Sequence, residues 1–390
     1  MTSLRRAQVI GTFAGIGAAT AAAHIGNNFS TYLVGGLIDR FGFTPFQMGL
    51  WSMTETLAYA LAMFGISPRV AKLNPRLLAS LASILVILAQ ALSVTTGDFA
   101  WLLAGRIATG LGFGLLNTSL NLSAGYSAHP ARAISFGIGI QTLLYAALNI
   151  ALPVSGARFG VNGMFLGLAA VSVVLWLGTL WLPTVSPAAS AKADDKSRLG
   201  AAHLQILAAM ALFTFGSLAI WPFMERAAHA IGLSAVAFGR YQSLATLLAA
   251  GSSLTLAAIA GKLPRALTLT LALLACGATC AVLTTVQIPA IFGGALIVYN
   301  VTWFITYAFM LGLAFAIEPG GRLAVLTTAT WLLSQSLGAV VAGGIAQMTG
   351  GYTLVGPLGL IFCAAAIALT WPLARRFDRQ PEPDAVPAIH

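Results

Sequence analysis

The sequence predicts an all-α membrane protein of twelve transmembrane helices, arranged as two six-helix, pseudo-symmetric bundles. Three observations carry this reading. Apolar residues make up 58% of the 390-residue chain and charged residues only 8%, with mean hydropathy +0.88; a soluble domain carries about a quarter charged residues. Apolar runs of the ~17–25 residues needed to cross a bilayer recur along the whole chain. The basic residues gather in alternate loops.

The first run, 9–36, follows Arg5 and Arg6 and mimics a secretory signal. Its apolar character continues to Val34 and further spans follow, so it reads as an uncleaved first helix. Runs 47–66, 77–96, 99–125, 133–155 and 161–182 complete the first bundle, residues 1–182. The polar stretch "SPAASAKADDKSRLG" then marks a cytoplasmic linker over 183–202. Runs 203–224, 238–260, 266–287, 290–316, 323–347 and 354–374 form the second bundle, 203–375, and "RQPEPDAVPAIH" closes a disordered cytoplasmic tail, 376–390. Long runs without period-two alternation argue against a membrane barrel.

The net charge of +10 reports topology rather than a nucleic-acid partner. Placing the N-terminus inside puts Arg69, Lys72, Arg76, Arg132, Lys262, Arg265, Arg322, Arg375 and Arg376 on one side, and Arg40, Arg158 and Arg226 on the other. Both termini are therefore expected in the cytoplasm of a cell with the protein in its inner membrane. Cys276, Cys280 and Cys363 fall inside spans without His or carboxylate neighbours, and read as inert buried thiols; no metal and no cofactor is expected.

The halves repeat. "GFTPFQMG" (42–49) recurs as "GLSAVAFG" (232–239), 190 residues on, and the same offset carries Arg132 onto Arg322. An even number of spans per half makes the repeat parallel, its axis along the membrane normal. The 6+6 plan, the glycine-bounded loop before helices two and eight, the basic loop after helix two, and "LAGRIATGLGFG" in helix four, with Arg106, Gly110 and Gly112, together resemble the major facilitator superfamily over essentially the whole chain. The resemblance implies alternating-access transport, a cavity lined by helices one, four and ten, and a cytoplasmic gate at Gly65, Arg69, Arg76, Arg132 and Arg322. Two features depart from the family pattern: Arg69 stands where an acid is expected after Gly65, and helix five, "GIQTLLYAALNIALPVSG", lacks the Gly-Pro-rich antiporter signature.

Charges at bilayer depth cost at least ~2.5–3.5 kcal/mol on insertion scales and need partners. Glu55 and Arg106 lie well inside spans two and four, at similar depth, which predicts an ion pair. Two readings stand: a static bridge that orients the helices, or a proton-coupling switch in which a substrate carboxylate captures Arg106 and leaves Glu55 to take a proton. His24 is either a proton relay or a packing residue.

Polar residues at helical spacing give candidate binding faces: Asn27 and Asn28 beside His24, then Asn117 and Asn121, and Gln141, Tyr145 and Asn149. Asn300, Trp303 and Tyr307 on helix ten and Trp331 and Gln335 on helix eleven continue the series, with interhelical hydrogen bonding as the plainer alternative for any one amide. Trp221-Pro222 is either a kink at an outer gate or the end of helix seven.

The expected activity is proton-coupled secondary transport of a small organic solute, an organic anion with an apolar or aromatic part, by a monomer whose partners are substrate, protons and lipid. No P-loop is present, so ATP is not the direct energy source. The alternatives are an exporter of amphipathic cations anchored on Glu55 and, from other classes, a non-transporting receptor or an intramembrane enzyme. No acid pair, His cluster or Ser–His arrangement converges in the spans to support an enzyme.

Overall fold

The structure, a computed structural model, describes residues 3–66, 73–125, 130–184, 199–259, 263–318 and 322–378. The described residues are helical apart from short connections. The first bundle comprises α1 (Ser3–Phe41), α2 (Pro45–Ile66), α3 (Pro75–Leu92), α4 (Phe99–Ala124), α5 (130–159) and α6 (161–179); the last two are one helical stretch broken at Gly160, where φ is 63°. The second comprises α7 (Ala201–Ala230), α8 (Ala235–Ile259), α9 (Arg265–Thr285), α10 (Pro289–Ile317), α11 (Arg322–Thr349) and α12 (Val355–Asp378). Eight helical stretches among the described residues are long and apolar enough to cross a membrane, and 133–179 is long enough to do so twice. The first helix is longer than the sequence reading allowed at both ends. Helix seven does not end at Trp221-Pro222: a 3₁₀ turn, Trp221–Phe223, breaks it, and it resumes over Met224–Ala230.

The bundles superpose in sequence at the 190-residue offset with little slippage. Pro75 and Arg265 open α3 and α9, and Phe99 and Pro289 open α4 and α10. Gly42 and Gly232 both adopt positive φ, 67° and 81°, at the turns after α1 and α7. Two residues later a hydroxyl caps the next helix. Thr44 Oγ1 accepts from the Gln47 amide at 3.2 Å while Gln47 Oε1 accepts from the Thr44 amide at 2.9 Å, a reciprocal capping box; Ser234 Oγ accepts from the Ala237 amide at 3.2 Å. Because a Cβ at positive φ costs roughly 1–2 kcal/mol, Gly232→Ala is expected to lower stability by about that amount while leaving transport intact, measurable as a shift in thermal unfolding.

We call the end of the molecule that carries the start of α1 and the end of α12 the terminal face and the opposite end, with Gly42 and Gly232, the distal face. Across the boundary between bundles α2 packs on α11 and α5 on α8. The offset exchanges these two contacts, and the exchange holds at the level of single atoms. A Cβ on Gly49 would strike the backbone of Ala339 and Val340, and a Cβ on Gly239 would strike the Asn149 carbonyl and Pro153. Gly49 and Gly239 are one equivalent pair and Asn149 and Ala339 another. The twin glycines let α2 and α8 press directly on the opposing backbone in the distal half.

Candidate functional site between the bundles

The first component of the site is an ion pair inside the first bundle. Glu55 lies ten residues after Pro45 and eleven before Ile66, midway along α2. Arg106 Nη1 lies 2.5 Å from Glu55 Oε2, and both side chains are 2% exposed. Thr109, one turn from Arg106, donates to the same oxygen at 2.8 Å. The guanidinium lies over the Trp51 ring, its carbon 3.6 Å from the centroid. Nη1 is engaged by the carboxylate, while Nε and Nη2 are buried without a hydrogen-bond partner. Gly26 of α1 and Gly110 of α4 permit the closeness, since a Cβ on either would meet Glu55. Ala245 and Leu296 occupy the equivalent positions of the second bundle, so the pair belongs to the first alone.

The second component is a polar junction joining the bundles in their distal halves. Asn27 is its centre. Its carbonyl accepts from Trp221 Nε1 at 2.9 Å, its Oδ1 accepts from Gln335 Nε2 at 2.7 Å, and Gln335 Oε1 accepts from Trp331 Nε1 at 2.9 Å. Towards the distal face Thr31 Oγ1 accepts from the Glu225 amide at 2.8 Å, and Arg226 Nη1 donates to Asp39 at 2.6 Å. Asn149 Oδ1 accepts from Tyr32 at 3.0 Å, and its Nδ2 donates to Thr246 at 3.3 Å across the α5–α8 contact. The bundles are thus closed against each other at the distal end.

Below the junction an aromatic wall stands on the second bundle. Trp303 and Tyr307 stack at 5.5 Å and 12°, and Trp331 meets Tyr307 edge-on at 5.0 Å. Trp303 Nε1 is buried without a partner. Opposite, in the first bundle, His24 Nδ1 faces the Thr20 carbonyl at 2.9 Å, Gln141 lies beside the ring, and Tyr59 is 6.4 Å away. Tyr59 lies close to Tyr307, which brings the two sides together.

Other candidates stand apart from this cluster. Asn300 Oδ1 accepts from Gln242 at 3.3 Å within the second bundle, and Tyr145 donates to the Ala21 carbonyl at 2.7 Å. Asn28 donates to the His24 carbonyl, Asn117 contacts Met63 Sδ at 3.5 Å, and Asn121 is exposed towards the terminal end of α4. Arg76 Nε donates to the Leu182 carbonyl at 2.7 Å, inside its own bundle. Gly65 has open space around it, Arg322 is exposed at the start of α11, Arg132 lies in α5, and Arg69 falls outside the described residues. Thr109, Tyr59 and Gln242 were not legible as participants. Threonine and tyrosine are common in apolar helices, and nothing in their spacing marks the neighbour they meet.

Two pseudo-symmetric helical bundles enclosing a charged and aromatic interior define a membrane carrier. The Major Facilitator Superfamily model matches residues 14–342, and the chain belongs to that family, whose members are secondary transporters; it is a multi-pass integral membrane protein. Among solved structures the chain is similar to the nucleoside transporter NupG in a mutant form, at 13% identity and TM-score 0.73, covering 94% of this chain and 99% of that one. A bacterial homologue of the human lysosomal transporter Spinster, inward-facing and occupied, matches at 18% identity and TM-score 0.71, covering 98% and 100%. A mutant of the peptide transporter POT matches at 12% identity and TM-score 0.74, covering 94% and 95%. No curated protein matches.

Proposed function

We propose that the protein is a proton-coupled secondary transporter of a small organic anion with an apolar or aromatic part, in the inner membrane, with the terminal face in the cytoplasm. The observation that carries this reading is the guanidinium of Arg106, buried at bilayer depth with Nη1 against one carboxylate and Nε and Nη2 without a hydrogen-bond partner. A buried arginine has donors to spare for a carboxylate ligand, which it binds through two parallel bonds when geometry allows. Transfer of Arg106 to a substrate carboxylate leaves Glu55 desolvated and unpaired, and proton uptake then relieves the charge. The aromatic wall supplies apolar contact for the rest of the solute. The hydrogen bonds of the distal junction hold the bundles together on that side, the contact that alternating access must break.

The wall of Trp303, Tyr307 and Trp331 also favours a second reading, an aromatic cation held by cation–π contact with Glu55 as counter-ion. A thermal-shift panel on the purified protein separates the two. A ligand at 100 times its dissociation constant adds about 2.7 kcal/mol when it binds only the native state. Stabilisation by small aromatic carboxylates that is lost in Arg106→Ala supports anion symport. Stabilisation by aromatic cations that is lost in Glu55→Gln makes the protein a cation exporter and ends the anion scheme.

A further inference from the structure

A second buried carboxylate lies far from Glu55 in sequence and takes no part in the scheme above. Glu225, in the resumed segment of α7, is 6% exposed, and its Oε2 is buried without a hydrogen-bond partner. It rests against Gly35 of α1: a Cβ on Gly35 would meet that oxygen. Gly35 and Glu225 are themselves 190 residues apart. Equivalent positions of two halves touch only near the axis that relates them, so Glu225 sits close to the pseudo-twofold, where α1 and α7 must part for the distal face to open.

Three of the neighbours that could satisfy this carboxylate are committed elsewhere. Tyr32 donates to Asn149, Arg226 donates to Asp39, and Thr31 Oγ1 accepts from the backbone amide of Glu225. Arg40 lies over the Phe41 ring, while His229 lines the vestibule and Tyr352 lies beside Arg226. On one side Glu225 lines a vestibule of about 670 Å³, together with Tyr32, Asp39, Arg40, His229 and Ser234, between α1, α5, α6, α7 and α8. An ionised carboxylate enclosed in this way carries a desolvation cost that the charge of Arg226, already paired with Asp39, offsets only in part; a protonated one does not.

We propose that Glu225 is a proton-binding site of the distal gate: the gate closes over the protonated carboxyl, and opening it hydrates and ionises the group. The proton comes from bulk solvent through the vestibule and returns there when the bundles part. The sign follows from linkage. The closed form binds one more proton than the open form, so acid favours closure and alkali favours opening, by at most about tenfold in the open-to-closed ratio per pH unit. The site acts independently of Glu55, so its failure and that of the coupling scheme are separable.

The test is a pair of spin labels at Thr95→Cys and Gln287→Cys, exposed beyond the distal ends of α3 and α9, with the native thiols buried. Interlabel distances are recorded between about pH 5.5 and 8.5, around the range in which protein acids with perturbed surroundings titrate. The expected result is a rising population of long distances with pH in the otherwise native protein. That response is retained in Glu225→Asp and in Glu55→Gln, and lost in Glu225→Gln, which stays in the short-distance form throughout. A pH-independent distribution in the native background, or a Glu225→Gln variant that still opens with pH, overturns the proposal. Retention in Glu225→Asp shows that a lost response in Glu225→Gln is not a folding defect.

Discussion

Gly49→Val and Gly239→Val are each expected to lower transport sharply while leaving both bundles folded. The added side chain meets backbone, the Ala339 carbonyl in one case and the Asn149 carbonyl in the other, and backbone in a packed helix has nowhere to retreat. Overpacking of this kind costs about 1–3 kcal/mol. The cost falls only on the arrangement in which the bundles are pressed together distally, so it acts on the conformational equilibrium rather than on folding. A differential of 1–3 kcal/mol shifts such an equilibrium by about 5–150-fold. Distances between labels on the distal ends of α3 and α9 should lengthen in both variants, and substrate uptake into proteoliposomes should fall accordingly. Gly294→Ala, where a Cβ meets open space, is the matched control. Native uptake and native distances in Gly49→Val would show that the twin contacts do not control the gate.

These contacts also indicate how far the sequence could be read. The repeated segment 42–49 and 232–239 was visible as two glycines and a hydroxyl at fixed spacing, and each proved to have a local cause: positive φ for the first glycine, a helix cap for the hydroxyl. The second glycine of each segment was visible only as a repeat, because its reason lies in another helix. The depth of Glu55 and Arg106 was legible from distance along each span, and depth alone was enough to place them side by side. The amides were less tractable. A 3.6-residue period says which side chains share a face, and nothing about what that face meets. Asn27 and Asn300 looked alike in sequence; one ties the two bundles together and the other pairs with Gln242 inside a bundle. The break at Gly160 was legible as the gap between the runs 133–155 and 161–182, and of the two readings of Trp221-Pro222 the kink is the one found, with α7 resuming after Phe223.

Removing either member of the buried ion pair is expected to be costly, and removing both much less so. Arg106→Ala strands Glu55 against Thr109 with no counter-charge, and Glu55→Gln strands the guanidinium over Trp51. Breaking a buried pair from one side typically costs about 3–5 kcal/mol, whereas replacing it with neutral residues of similar volume is often neutral or stabilising. The Glu55→Gln/Arg106→Met variant should therefore recover most of the stability lost in either single variant, read as thermal unfolding in the same detergent. Uptake separates the two roles the pair could play. If the bridge only holds α2 to α4, recovery of stability brings recovery of transport, and coupling at this site is refuted. If the pair exchanges partners during the cycle, the double variant is as stable as the native protein and still fails to accumulate substrate under a proton gradient. Transport and stability then part company at Glu55 and Arg106, and we expect that second outcome, because a buried arginine with one nitrogen on Glu55 and Nε and Nη2 unpartnered has donors left for a second carboxylate.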